Sequence, residues 1–321
     1  MRIGVTTLLA GASLIPEPEK TPAPQPLARF MSGPPAEQLV YARHDGHNLV
    51  LHTFKPSGLK AGDRRPAIVW IHGGAWVGGT PNGSFPFARY FADRGAVAFV
   101  ITYRKAKPEG PSVSDCLADC RSALGHIRAH ALELGVDPAR VAVVGESAGG
   151  HLAAALGTLA GSDQMIDDTS VHSCADALVL YNPIVDMTED DWTRYAIGGK
   201  ALGDRSSPRP SDPESLARAR ALSPLFHVRH GQPPALVLHG RGDKVVRWEQ
   251  AQRFADAMKS SGNRCDLVLY GPEIGHAFAV AGYKWPESVV VPAIREADSF
   301  LASLGWLEGP PTLTTSNPPA W

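Results

Sequence analysis

The stretch Val141-Ala142-Val143-Val144-Gly145-Glu146-Ser147-Ala148-Gly149-Gly150 limits what this chain can fold into more than any other. An unbroken apolar run reads as a strand buried on both faces. It runs into Gly-x-Ser-x-Gly, and the small-residue segment Ala148–Leu159 reads as a helix that starts at once. A strand-to-helix turn this tight leaves no room for side chains at Gly145 and Gly149, and it forces Ser147 into a strained backbone conformation with its hydroxyl presented. The first N–H groups of the following helix then lie where negative charge would develop on a carbonyl under attack.

The rest of the chain supplies a frame for such a turn. Gln38–Arg43 and Asn48–Lys55 read as an antiparallel pair about Asp45-Gly46. Ala67–Ile71, Val97–Tyr103, Arg140–Val144, Ala177–Tyr181, Ala235–His239 and Asp266–Tyr270 read as further strands, most of them apolar throughout. Helical spacing covers Phe85–Arg94, Val113–Leu134, Trp248–Lys259 and Pro286–Leu304, and Asp137-Pro138 reads as a turn. This alternation specifies an α/β domain with a mostly parallel sheet and helices on both faces. The catalytic domain is expected over 37–306. Within it, the polar, Gly- and Pro-rich segment 186–223 reads as an insertion over the C-terminal edge of the sheet, where ligands bind in such folds. The Pro-rich residues up to 36 and the tail 307–321 read as flexible.

A serine hydroxyl needs a base, and the base needs a carboxylate to hold its tautomer. His276, in Gly275-His276-Ala277 just after the last strand, approaches from the same sheet edge as the Ser147 turn. Asp243 closes the strand-to-loop segment Leu236-Val237-Leu238-His239-Gly240-Arg241-Gly242-Asp243, giving the order Ser147, Asp243, His276. Asp186, which follows the preceding strand, is the rival acid. Glycines in Val69-Trp70-Ile71-His72-Gly73-Gly74-Ala75-Trp76 let that loop aim N–H groups at the reacting carbonyl, with Ala148 as the other donor. His72 reads as an orienting residue of the loop and His151 as a packed neighbour. Trp76 and Trp192 are candidate substrate-binding residues, with core packing the alternative for each.

Composition narrows the function classes. The chain has 321 residues, 44% of them hydrophobic and 20% charged, with formal net charge −1. No basic block with interleaved aromatics is present, so a nucleic-acid partner is not expected. No later apolar run reaches the roughly 18 residues of a membrane span, so stable membrane insertion is not expected either. Cys116 and Cys120 share one helix face and read as small core residues rather than half a metal site. Residues Ile3–Ile15, with Ala10-Gly11-Ala12, fit either a short export signal or a plain leader, so location inside or outside the cell stays open. Nothing in the sequence fixes an oligomeric state.

Taken together, His72-Gly73-Gly74-Ala75-Trp76, Gly145-Glu146-Ser147-Ala148-Gly149-Gly150, Gly242-Asp243 and Gly275-His276 resemble the α/β-hydrolase carboxylesterases over about residues 37–306. The group most resembled is the acetyl esterases that include bifunctional feruloyl and acetyl-xylan esterases, near the hormone-sensitive-lipase-like esterases. Ala75 stands where the lipase-like group usually has a third Gly, and no long helical N-terminal cap precedes the domain. The resemblance implies an α/β-hydrolase fold, with Ser147, Asp243 and His276 as catalytic triad and Gly74 and Ala148 as oxyanion donors. Gly73 or Ala75 is the third donor. It implies a small-molecule ester or acylated carbohydrate as substrate, short acyl groups, and no metal or organic cofactor. Kynurenine-formamidase-like amidases, which share the His-Gly-Gly-aromatic loop, or another amidase or peptidase on the same fold form the alternative, as does a non-catalytic hydrolase-like binding protein.

Overall fold

A computed structural model describes residues 23–44, 46–159, 173–189, 192–198 and 210–316. The possible export signal, Asp45 of the first turn and the last five residues lie outside them. In chain order the elements are β1 (Gln25–Pro26), β2 (Glu37–His44), β3 (His47–Phe54), β4 (Arg65–Ile71), α1 (Phe85–Asp93), β5 (Val97–Ile101), α2 (Val113–Ala129), α3 (Ala131–Leu134), β6 (Val136–Glu146) and α4 (Ala148–Thr158). They continue with β7 (Ala177–Tyr181), α5 (Trp192–Ile197), α6 (Pro213–Ala221), β8 (Ala235–Gly240), α7 (Trp248–Ser260), β9 (Cys265–Tyr270), α8 (Glu287–Ser303) and β10 (Leu313–Thr314).

Strands β2 to β9 form one sheet in the order β2-β3-β5-β4-β6-β7-β8-β9. β2 and β3 pair antiparallel, β3 meets β5 antiparallel, and every pairing from β5 to β9 is parallel. The apolar runs explain this. β5, β7 and β8 are buried at every residue, as strands covered by helices on both faces must be. β2, at the edge, alternates between half-buried and exposed along most of its length. Two hydrophobic cores result, one on each side of the sheet, with Val69, Val143 and Leu152 in one and Trp70, Val144 and Ile294 in the other. Cys116 and Cys120 are buried on α2 within the first core.

Three expectations are corrected. The segment Val113–Leu134 is not one helix. α2 starts at a capping box in which the Ser112 hydroxyl accepts from the Asp115 N–H and the Asp115 carboxylate accepts from the Ser112 N–H. It stops at His130, whose backbone leaves helical geometry at φ −105° and ψ 19° while its N–H and its ring Nδ1 both reach the His126 carbonyl, at 3.0 and 2.9 Å. Asp137-Pro138 does not separate two elements but bulges out of β6. The β4–β6 register passes from Arg65↔Val136 to Ala67↔Val141, and Asp137 Oδ1 accepts the Ala139 N–H in the excursion.

The third correction concerns the domain limits. The stretches expected to be flexible contribute to the folded unit over their described parts. β1 pairs in parallel with β10, and Leu27, Phe30 and Leu313 are buried in the second core. Their apolar contacts outweigh the proline content around them, and Pro26 sits in a two-residue edge strand where its missing N–H costs little. The Tyr90 hydroxyl accepts the N–H groups of Thr312 and Leu313 and contacts Asp298. Arg94 holds Asp298 at 2.7 Å, with both side chains almost fully buried, and also donates to the Gly309 carbonyl. Replacing Asp298 with Ala strands the Arg94 charge. We expect a loss of about 3–5 kcal/mol in urea unfolding, since breaking a buried pair leaves an uncompensated ion.

Candidate active site

The parallel register sets Ile71 beside Gly145, so β4 and β6 end together at the same edge. The turn after β6 is as tight there as the sequence demands. A Cβ on Gly145 would lie 2.2 Å from the Gly149 carbonyl oxygen, and one on Gly149 would lie 2.1 Å from that of Ile71. Ser147 takes φ 54° and ψ −122° between them. Among the described residues, the other non-glycine positions with positive φ are Ala75, Trp76, Asn182 and Ala277. All four sit on the loops that leave the C-terminal ends of β4 and β7 or follow His276, so the backbone strain is concentrated around Ser147.

The structure brings Ser147, His276 and Asp243 together. His276 Nε2 lies 2.9 Å from Ser147 Oγ, and Nδ1 lies 2.7 Å from Asp243 Oδ2. The His276 loop is fixed by the Trp285 indole, which donates to the His276 carbonyl at 2.9 Å. It is fixed also by the Gly242 N–H, which donates to Ile274. Asp243 Oδ1 accepts the N–H groups of Val245 and Val246 at 2.8 and 2.9 Å. Burial works against the charged carboxylate. The hydrogen bonds from His239, His276 and Val246 outweigh it and hold the carboxyl well below the usual carboxylate range. The rival, Asp186, is spent elsewhere. Its Oδ1 accepts from the Thr188 N–H and hydroxyl, and its Oδ2 faces Arg253.

The oxyanion loop departs from expectation at one residue. The Gly73 N–H donates to Glu146 Oε1 at 3.0 Å, so it is not free to serve an oxyanion. Gly74, Ala75 and Ala148 donate to no acceptor among the described residues. Glu146 is a functional neighbour that sequence reasoning missed, since it occupies the variable position of Gly-x-Ser-x-Gly. Burial pushes its carboxyl up, against the opposing pull of His276 and the Gly73 N–H.

Two further histidines are buried scaffolding. His72 stacks on Tyr103 at 4.6 Å, its Nδ1 meets the Gly73 carbonyl at 2.7 Å, and the Tyr103 hydroxyl donates to the His72 carbonyl. His151 accepts the Trp76 indole N–H at Nδ1 and donates from Nε2 to the Leu222 carbonyl. Burial pushes both rings down to about 4.

A cavity of about 570 Å³ opens over Ser147 and His276, walled in part by Gly74, Trp192, Val245 and Tyr283. Trp192 is therefore a pocket residue. Trp76 is not: it is fully buried, 6.0 Å from Trp192 and 5.2 Å from Tyr195 between ring centres, and acts as their backing. A six-residue helix, α5, carries both Trp192 and Tyr195 and was hidden by the polar composition around it. No group of three or more His, Cys, Asp or Glu suited to a metal occurs among the described residues. None of their helices is long and apolar enough to cross a membrane.

The BD-FAE family model matches residues 53–258, almost two thirds of the chain and spanning the Ser147 and Asp243 segments. The chain belongs to the BD-FAE family. This family lies within the α/β-hydrolase carboxylesterases. Among curated relatives of this BD-FAE chain, the probable carboxylic ester hydrolase LipM of Mycobacterium tuberculosis is 28% identical over 82% of it. Esterase LipC of the same organism is 30% identical over 82%. The chain spans 61% and 64% of those two relatives' lengths. Among solved structures, butyrate-bound Thermogutta terrifontis esterase 2 has a TM-score of 0.74 at 37% identity, covering 85% of this chain and 96% of that one. The same esterase phosphorylated by paraoxon has a TM-score of 0.73 at 35% identity, with the same coverage.

Since the folded rings of His72 and His151 sit near 4 while an unfolded imidazole titrates near 6.5, the unfolded state binds protons first as pH falls. The stability of keeping both rings neutral is complete above 6.5 and is lost as pH drops from 6.5 through 4. Urea midpoints measured across that window should fall steadily, and substituting His151 by Phe should flatten the slope.

Proposed function

We propose that this BD-FAE chain is a serine esterase that hydrolyses short-acyl carboxylic esters through Ser147, His276 and Asp243. One observation carries the reading: a single imidazole spans Ser147 Oγ at 2.9 Å and Asp243 Oδ2 at 2.7 Å. Ser147 attacks the ester carbonyl as His276 Nε2 takes its proton. The oxyanion is met by the N–H groups of Gly74 and Ala148, with Ala75 the third donor in place of Gly73. His276 then protonates the leaving alcohol, and a water activated by the same nitrogen releases the acid. Asp243 stays ionised throughout and holds the proton on Nδ1. Changing Asp243 to Asn should lower kcat by roughly four orders of magnitude while the unfolding midpoint stays close to wild type. Asp186→Asn should leave turnover within a few fold. Reversal of those two results would reject the assignment.

The acyl side is short because Trp192 walls the cavity and is itself backed by Trp76 and Tyr195. Such a wall cannot retreat without moving three rings. Capture of propionate and butyrate by the Thermogutta esterase supports the same size range. Membership of the BD-FAE family together with that short acyl side supports an acetylated carbohydrate or a simple aryl acetate as substrate. With p-nitrophenyl esters, activity should peak between acetate and butyrate. Trp192→Ala should raise the octanoate-to-acetate ratio of kcat/KM by at least about tenfold, since each methylene admitted is worth roughly 1 kcal/mol or more. A wild-type optimum at dodecanoate would reject the short-acyl pocket.

A further inference from the structure

His239 precedes the acid loop on β8 and is fully buried, yet the mechanism above does not use it. Its Nε2 lies 3.2 Å from Asp243 Oδ2, the same oxygen that receives His276, and 3.0 Å from the Val246 carbonyl. Both neighbours are acceptors, so Nε2 carries the proton and shares it between them. Nδ1 has no partner among the described residues. A proton there would be a buried donor with nothing to receive it, so the hydrogen bonds favour the tautomer with its proton on Nε2.

That arrangement is poor for stability alone. Here one ring nitrogen is left without a partner while the other is aimed at the triad acid. We infer that His239 is a positioning residue of the triad: its Nε2–H is the second donor to Asp243 Oδ2 and sets how strongly that oxygen holds the His276 proton. The inference rests on the triad reading above.

The geometry gives the role a direction. Asp243 Oδ1 is held by the Val245 and Val246 N–H groups, so the carboxylate plane is fixed from one side. On Oδ2 the two imidazoles share one oxygen's charge. Donation from His239 draws density away from His276 Nδ1–H and keeps the imidazolium from becoming too stable. Without it, Oδ2 pulls harder on His276, and the base stays protonated to higher pH. Among the described residues, Glu146 on β6 also interacts electrostatically with His276, and no substitution here touches it.

The test compares His239→Phe, which removes the donor, with His239→Gln, whose amide nitrogen can stand where Nε2 stood. Steady-state kinetics on p-nitrophenyl acetate across pH should show kcat about tenfold lower for Phe, with KM within about twofold, a part of the roughly 10²–10⁴-fold that general acid–base catalysis supplies. The acid limb of kcat/KM should move to higher pH in Phe and return to the wild-type position in Gln, which also recovers most of kcat. If the Phe variant does not fold, His239→Leu makes the same comparison. Equal kcat in the Phe and Gln variants, or an acid limb that does not move in Phe, overturns the inference. Failure of the triad reading itself would appear separately, as turnover that survives His276→Ala in an otherwise unchanged chain.

Discussion

The pairing of Ile71 with Gly145 is the constraint on which the rest depends. Neighbouring parallel strands that end in register deliver two turns to one spot. Those turns must interlock without side chains, as the 2.1 Å approach of a Gly149 Cβ to the Ile71 carbonyl shows. A register slip of one residue between β4 and β6 would exchange the faces of every side chain on the strand and separate the elbow from the oxyanion loop together. The same packing fixes Glu146 against Gly73, so the carboxylate that consumes one N–H of the loop also ties the loop to the elbow. The cores on both faces hold that register because β4 is buried over six of its seven residues.

Burial then sorts the histidines by task. His72, His151 and His239 are almost or fully buried, and each is held by the backbone or by another side chain. A neutral ring in such a place is a rigid strut whose donor and acceptor ends are fixed. His276 differs because its side chain keeps some exposure, 15%, and because both of its nitrogens face reacting or charged groups. A base has to change protonation state during each turnover, and a site open to the cavity is where that change is least costly.

Much of this was legible in the sequence, for a physical reason. The parallel strands are apolar at nearly every position, and the glycines that permit close backbone approach cannot be replaced without collision. Both patterns are local, so Ser147, His276 and Asp243 could be placed by strand order alone. Long-range pairing hid the remainder. Nothing near Gly73 in sequence shows that Glu146, 73 residues away, takes its N–H. Proline counts suggested loose ends, but Leu27, Phe30 and Leu313 meet across almost the whole chain to bury themselves. His239 looked like the last residue of a strand because its partner's role is defined only once Asp243 is bonded to His276.

The insertion shows how the pocket's size is coupled to the sheet. Its entry is pinned where Gln250 on α7 accepts the Val185 and Asp186 N–H groups through Oε1. Its exit is pinned where the Ser223 hydroxyl accepts the Met187 N–H and the Leu222 carbonyl takes His151 from α4. Trp76 bridges the two halves of the arrangement, since it belongs to the oxyanion loop, donates to His151 and backs Trp192. A change that lets Trp192 swing outward would therefore be resisted by rings seated on the oxyanion loop itself. Trp192 in the cavity wall and Trp76 on the loop after β4 form one packed unit, so on the proposed reading acyl length and oxyanion geometry are set by the same contacts.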